Sequence, residues 1–132
     1  MPVSEGEKVS VLVVDDSKSM RAVVTSIVTK MGFAVIGEAA DGAEAVTLAL
    51  RDKPHIVLLD INMPVKTGID ALREIKAGHA NAVVIMMTSV SDMDSVEKCI
   101  EAGAASYILK SASHDEIAQA LKDAWETGKA WS

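Results

Sequence analysis

The sequence holds a single cysteine, Cys99, so no disulfide can close within the chain. Aromatic residues make up only 3 % of a chain that is 49 % hydrophobic. The core must therefore come from Val, Ile, Leu, Met and Ala, side chains that suit a helix-covered parallel sheet. No apolar run approaches the ~20 residues of a membrane span, and Met1 to Lys8 carries charges without the hydrophobic stretch of a secretory leader. Basic residues are in deficit, 13 against 19 acidic ones. The resulting net charge of −6 opposes attraction to a phosphate backbone and argues against direct nucleic-acid binding. No Gly-rich cradle ending in Gly-Lys-Ser/Thr is present, which argues against ATP as a direct substrate. No linker, repeat or low-complexity tract divides the 132 residues, and the length fits one domain. These absences leave a soluble cytoplasmic protein that neither enters a membrane nor binds nucleic acid.

What is present is an alternation of periods. Val9 to Val14 reads as a strand running into Asp15-Asp16. From Ser17 the spacing becomes helical, with Met20, Val23, Val24, Ile27, Val28 and Met31 on one stripe and Gly32 as a stop. Ala34 to Ala39 is a second strand. Asp41, with Glu44 three residues on, caps a second helix whose inner residues are Ala45, Val46, Ala49 and Leu50.

Ile56 to Leu59 is a continuous apolar run, read as a strand buried on both faces, with Asp60 at its carboxyl end. Pro64 cannot donate to a ladder and turns the segment into a loop. Thr67 and Asp70 cap a third helix with Leu72 and Ile75 inward, ended by Gly78. Ala82 to Met87 is a fourth strand closing on Thr88-Ser89. Ser91 or Asp92 begins a fourth helix with Val96, Cys99 and Ile100 inward. Ser106 to Leu109 is a short fifth strand, and Ser113 with Glu116 forms a capping box for the last helix, whose stripe is Ile117, Ala120, Leu121, Ala124 and Trp125. Five strands alternating with five helices, joined by right-handed crossovers, make an α/β fold with a doubly wound parallel sheet.

Polar residues interrupt the apolar strands at matching places: Asp15 and Asp16, Asp60, Thr88 and Lys110. In a parallel sheet all of these ends lie on one edge, where ligands bind. Three carboxylates gathered at low dielectric repel one another and call for a proton or a cation. The donors are all oxygens, which selects hard Mg2+. Lys110 can neutralise a phosphoryl oxygen and the Thr88 hydroxyl can bond another, so Asp60 is placed to act as a nucleophile toward phosphorus. Taken singly, Asp15 or Asp16 reads as a helix cap, Thr88 as a strand-end hydroxyl and Lys110 as a solvated charge. Their conjunction resists that explanation. His55, His79 and His114 lack metal-ligand spacing and read as surface residues, and Cys99 reads as core.

The runs Val13-Val14-Asp15-Asp16-Ser17 with Met20-Arg21, Asp60-Ile61-Asn62-Met63-Pro64 with Gly68, Thr88-Ser89, and Tyr107-Ile108-Leu109-Lys110 resemble the receiver domain of bacterial two-component response regulators, over about Val9 to Gly128. The resemblance implies a flavodoxin-like fold with strand order 2-1-3-4-5. It implies that Asp60 accepts a phosphoryl group from a sensor histidine kinase or phosphotransfer protein. Asp15, Asp16, Asp60 and the backbone carbonyl of Asn62 would hold Mg2+, with Thr88 and Lys110 on the phosphoryl oxygens. Tyr107 would be the aromatic switch that follows Thr88. Output would pass to a target protein through the face of helix 4, strand 5 and helix 5, as a monomer or a phosphorylation-dependent dimer. Two positions depart from the family pattern. Ser111 stands where Pro commonly follows the lysine, which disfavours a cis peptide there. Val90, two residues after Thr88, stands where several relatives carry a polar residue that affects phosphate lifetime.

The expected organisation is a flexible start over 1–8, a receiver over 9–128 and a short tail over 129–132. With only Lys129 to Ser132 after Gly128, the expectation is a stand-alone, chemotaxis-type switch rather than a turnover enzyme. The alternative is an excised receiver of a helix-turn-helix transcription regulator. A flavodoxin-like electron carrier would need a hydroxyl-rich phosphate loop where Asp15-Asp16 stands. An aspartate-based phosphohydrolase would need an acid where Asn62 stands.

Overall fold

The structure, a computed structural model, describes residues 8–129; the expected flexible start and tail lie largely outside that range. Eleven segments alternate: β1 (Ser10–Val14), α1 (Lys18–Lys30), β2 (Ala34–Ala39), α2 (Gly42–Asp52), β3 (Ile56–Asp60), α3 (Gly68–Gly78), β4 (Val83–Thr88), a 3₁₀ segment (Val90–Ser95) leading into α4 (Val96–Glu101), β5 (Ser106–Leu109) and α5 (His114–Lys129). The strands are all parallel, in the order β2-β1-β3-β4-β5. That is the flavodoxin-like order the family resemblance implies, which strand periodicity alone did not fix.

Strand side chains alternate strictly between two cores. Leu12, Val14, Val57, Leu59, Val84 and Met86 pack with Ala45, Ala49, Leu72, Ile75, Val96 and Cys99, on the side of α2, α3 and α4. Val11, Val13, Ile56, Leu58, Val83, Ile85 and Met87 pack with Val24, Ile27, Val28, Ile117, Leu121 and Trp125, on the side of α1 and α5. This is the period-two signature of strands covered on both faces. Cys99 is fully buried and burial pushes its thiol pKa up, consistent with an inert core position.

Helix starts follow local chemistry. The Ser17, Asp41 and Thr67 side chains accept from the backbone N–H groups of Met20, Glu44 and Asp70. Ser113 and Glu116 satisfy each other's N–H groups at 3.0 and 3.1 Å, a complete capping box.

The fourth helix departs from expectation. The Ser89 hydroxyl bonds Ser91 Oγ and Asp92 Oδ2, both at 2.9 Å. Both candidate caps are thus engaged with Ser89, no side chain caps the segment, and its first six residues coil as 3₁₀. Only Val96 and Cys99 of α4 are buried, whereas Ile100, expected inward, is 43 % exposed. Two histidines expected at the surface are also half-buried: His55 Nδ1 accepts the Ser10 N–H at 2.9 Å and its ring meets Trp125 edge-on, while His79 Nε2 lies 2.7 Å from the Pro54 carbonyl. His114 is exposed, as expected.

Two glycines allow loops to approach helix starts. A Cβ on Gly42 would lie 2.2 Å from the Lys66 carbonyl oxygen, and one on Gly68 would lie 2.3 Å from that of Asp60. Both obstacles are backbone, one at the end of β3 and one in the loop that follows it. Gly42→Ala is therefore expected to destabilise the fold by about 1–3 kcal/mol despite alanine's better helix propensity. Thermal denaturation checks this as a lowered Tm.

Candidate functional site

The register of the sheet assembles the site. β1 pairs with β3 from Val11 with Ile56 to Val14 with Leu59, so one step further on Asp15 and Asp60 stand side by side. By alternation both follow Val13 and Leu58 onto the α1/α5 side. Ile108 faces the same side, so Lys110, two residues later, does as well. Its Nζ lies 3.0 Å from Asp15 Oδ2 and 3.0 Å from Asp60 Oδ2, bridging two carboxylates whose side chains are only 4 % and 2 % exposed.

The loops hold the acids by their backbone. Asp15 N–H donates to the Ala39 carbonyl at 3.0 Å, continuing the β1–β2 ladder, and Asp15 Oδ1 accepts the Ser17 N–H at 2.8 Å. Asp60 Oδ1 accepts the Asn62 N–H at 3.3 Å. The loop beyond turns sharply: Lys66 N–H donates to the Pro64 carbonyl at 2.7 Å across Val65, which has φ +70 and is 83 % exposed. A β-branched residue in the left-handed region is strained, and such strain gathers near functional sites.

Thr88 ends β4 fully buried, its hydroxyl donating to the Ser89 carbonyl at 3.0 Å, and its own carbonyl accepts the Lys110 N–H at 2.9 Å. Thr88 pairs with Leu109 and Met86 with Tyr107, which puts Thr88 and Tyr107 on one sheet face, on adjacent strands and two residues out of register. Tyr107 is 41 % exposed. The Lys110–Ser111 peptide is trans.

Burial out of water pushes the Asp60 carboxyl pKa above the ordinary range, and Asp15 adds to the push; Lys110 and the Asn62 N–H offset only part. Burial also pulls the Lys110 ammonium down, but its bonds and charge contacts with Asp15 and Asp60 outweigh that and hold its pKa above the usual lysine value. Apart from the Lys110 ammonium at 3.0 Å, Asp60 Oδ2 has no partner among the described residues. Oxygens of Asp15, Asp16 and Asp60, all within 4.8 Å of one another, form an all-oxygen set. Such a set fits a hard divalent cation that keeps several waters.

The structure thus brings Asp15, Asp16, Asp60 and Lys110 into one cluster, with Asn62 on its loop and Thr88 on the neighbouring strand end. Asp16 differs from its neighbour in being exposed. Sequence reasoning assigned nothing to the Ser17 N–H, because a backbone donor carries no residue signature. Nor did it give Arg21 a role: the side chain reaches back to the Asp15 carbonyl at 2.6 Å, a contact visible only once α1 is docked.

Comparison with known proteins agrees with this geometry. The response regulator receiver domain model matches residues 11–122. The chain is 40 % identical over 111 residues to the chemotaxis protein CheY of Thermotoga maritima, covering 84 % of this chain and 92 % of that one. It is 37 % identical to the transcriptional regulatory protein PdtaR of Mycobacterium tuberculosis, covering 85 % of this chain but 54 % of that one. Among solved structures, the CheX–CheY–BeF3–Mg2+ complex from Borrelia burgdorferi superposes with a TM-score of 0.85 at 36 % identity, over 90 % of each chain.

The raised Asp60 pKa has a sign that stability measurements read. Because the folded chain holds this proton more tightly than the unfolded one, Asp60 favours folding below the ordinary carboxylate range and becomes a cost as pH rises through its raised value. In metal-free buffer, Asp60→Asn is expected to stabilise the protein at neutral pH by about 0.5–2 kcal/mol, the range typical when a functional site is relieved. The gain should vanish below about pH 4, where wild-type Asp60 is also protonated. Denaturant titrations of both proteins across pH check this.

Proposed function

The chain belongs to the response regulator receiver family, as a CheY-like member, and on that premise we propose that Asp60 is the residue that accepts the phosphoryl group. The observation that carries this is the buried Asp60 Oδ2, whose one partner among the described residues is the Lys110 ammonium at 3.0 Å, beside the Asp15–Asp16 pair. That oxygen attacks the phosphorus of a phosphohistidine on a sensor kinase or phosphotransfer protein; an O–P bond forms as the N–P bond breaks, and the imidazole leaves. Asp15, Asp16, Asp60 and the Asn62 carbonyl would hold Mg2+, which when bound would supply charge neutralisation on the incoming phosphoryl oxygens.

The chain's own residues do the rest. Lys110, already paired to both buried acids, exchanges part of that contact for a phosphoryl oxygen. The Thr88 hydroxyl gives up the Ser89 carbonyl for another. Because Thr88 is fully buried, its movement shifts the packing beside Tyr107 and biases β5 and its neighbours toward a second arrangement. Val90, Ile100 and Tyr107, at 72 %, 43 % and 41 % exposed, give the α4 and β5 region apolar surface for a target protein.

On this reading the receiver unit spans 9–128 and acts in the cytoplasm as a switch, without turnover of free substrates. Asn62, lacking a carboxyl, offers no acid for rapid hydrolysis. No helix of the described residues is long and apolar enough to cross a membrane. A second reading, the receiver part of a longer transcription regulator, is favoured by the match to about half of PdtaR. A reading frame that continues past Ser132 would establish it.

Incubation with a small acyl-phosphate donor is expected to add one phosphoryl group, only when Mg2+ is present, mapping to Asp60 and absent from Asp60→Asn. Thr88→Ala should still take the label but lose the change in amide exchange along β5 that labelling causes. Label on another residue, labelling without a divalent ion, or steady turnover of an added phosphoester would refute the assignment.

A further inference from the structure

Asp16 makes no hydrogen bond or ion pair with any described residue, yet its carboxylate is one of the three that converge. Side-chain contacts therefore do not aim it; the backbone that carries it must. The controlling element is the planar peptide joining Asp15 to Asp16, whose carbonyl belongs to Asp15. One guanidinium fixes that carbonyl. Arg21, one turn into α1, donates from Nη1 to the Asp15 oxygen at 2.6 Å and from Nε to Glu38 Oε1 on β2 at 3.1 Å. Its side chain is 16 % exposed. Glu38 lies beside Val13 in the sheet, so the rigid β1–β2 pair supplies the anchor.

We propose that Arg21 is a positioning residue for the cation site: by clamping the Asp15 carbonyl against Glu38 it sets the Asp15–Asp16 peptide plane and so aims the Asp16 carboxylate at Mg2+. This rests on the Mg2+ reading given above. A lysine cannot substitute, because a single ammonium on a flexible stem does not present two donors in a fixed plane. The role is separable from mere charge. A cation beside three carboxylates competes with Mg2+, so if charge were all that Arg21 supplied, removing it would tighten metal binding. Positioning predicts the opposite sign.

The test is calorimetric titration of the metal-free protein with Mg2+ for wild type, Arg21→Ala and Arg21→Lys. Alongside it, exchange of the Asp15 and Ser17 amides, which donate to Ala39 and to the Asp15 carboxylate, is followed without metal. Both variants are expected to bind Mg2+ about tenfold more weakly, the usual scale for a group that orients a metal ligand. Both should also exchange those two amides faster. Unchanged or tighter binding by Arg21→Ala, or wild-type affinity in Arg21→Lys, would overturn the proposal. If wild type itself took up no Mg2+, the metal reading would fall, and the amide comparison alone would then decide whether Arg21 holds the loop. Should Arg21→Ala not fold, Arg21→Lys, which keeps the charge and the stem, carries the same comparison.

Discussion

The ion triplet of Lys110 with Asp15 and Asp60 is the constraint around which this molecule is arranged. Two carboxylates lie side by side at the end of adjacent strands, almost out of contact with water. One ammonium bridges them, and it is the sole partner of Asp60 Oδ2 among the described residues. Such an arrangement is a poor source of stability, since desolvating charges costs more than an imperfect geometry returns. It is a good source of reactivity. An under-satisfied carboxylate next to a cation and two more acids is receptive to a metal and to an electron-poor phosphorus, and the receiver family uses that receptivity for signalling.

The rest of the fold offsets this cost and keeps the cluster in place. Two independent apolar cores clamp the sheet from both faces, and truncating a single large side chain in such a core costs about 2–5 kcal/mol. The strands are the stiff part, and the site is mounted on their ends. The loops that complete it are held by backbone contacts: Gly42 against the Lys66 carbonyl, Gly68 against the Asp60 carbonyl, and Arg21 on the Asp15 carbonyl. Strain is concentrated at Val65, in the loop that follows Asp60.

Stiffness falls away on the side of α4. Its entry is a 3₁₀ segment whose serine and aspartate side chains bond to each other instead of capping the helix, and α4 itself has only six residues. Few buried contacts and poorly capped backbone are the features of an element that rearranges at small cost. This element adjoins Thr88 and carries exposed Val90 and Ile100. The place where the chain departs from simple helix patterning is thus also the place where a two-state response is easiest to accommodate.

The sequence by itself determined the alternation of five strands and five helices, most of the caps, the inward stripes and the polar residues that end the strands. Each of these depends on neighbours within a few positions, through periodicity, capping and turn chemistry. The Ile100 and Ser91/Asp92 readings failed because they depended on which way a short segment would coil and which side-chain partners would compete. The inward turn of His55 and His79 depended on Ser10, Trp125 and Pro54, far away in the chain. Only the tertiary structure decided that Lys110 spans Asp15 and Asp60, that Asp16 stays exposed while Asp15 is buried, and that Arg21 reaches the Asp15 carbonyl. Those distances arise from strand register and helix docking, which add contributions from residues many positions apart and leave no mark in any local stretch of sequence.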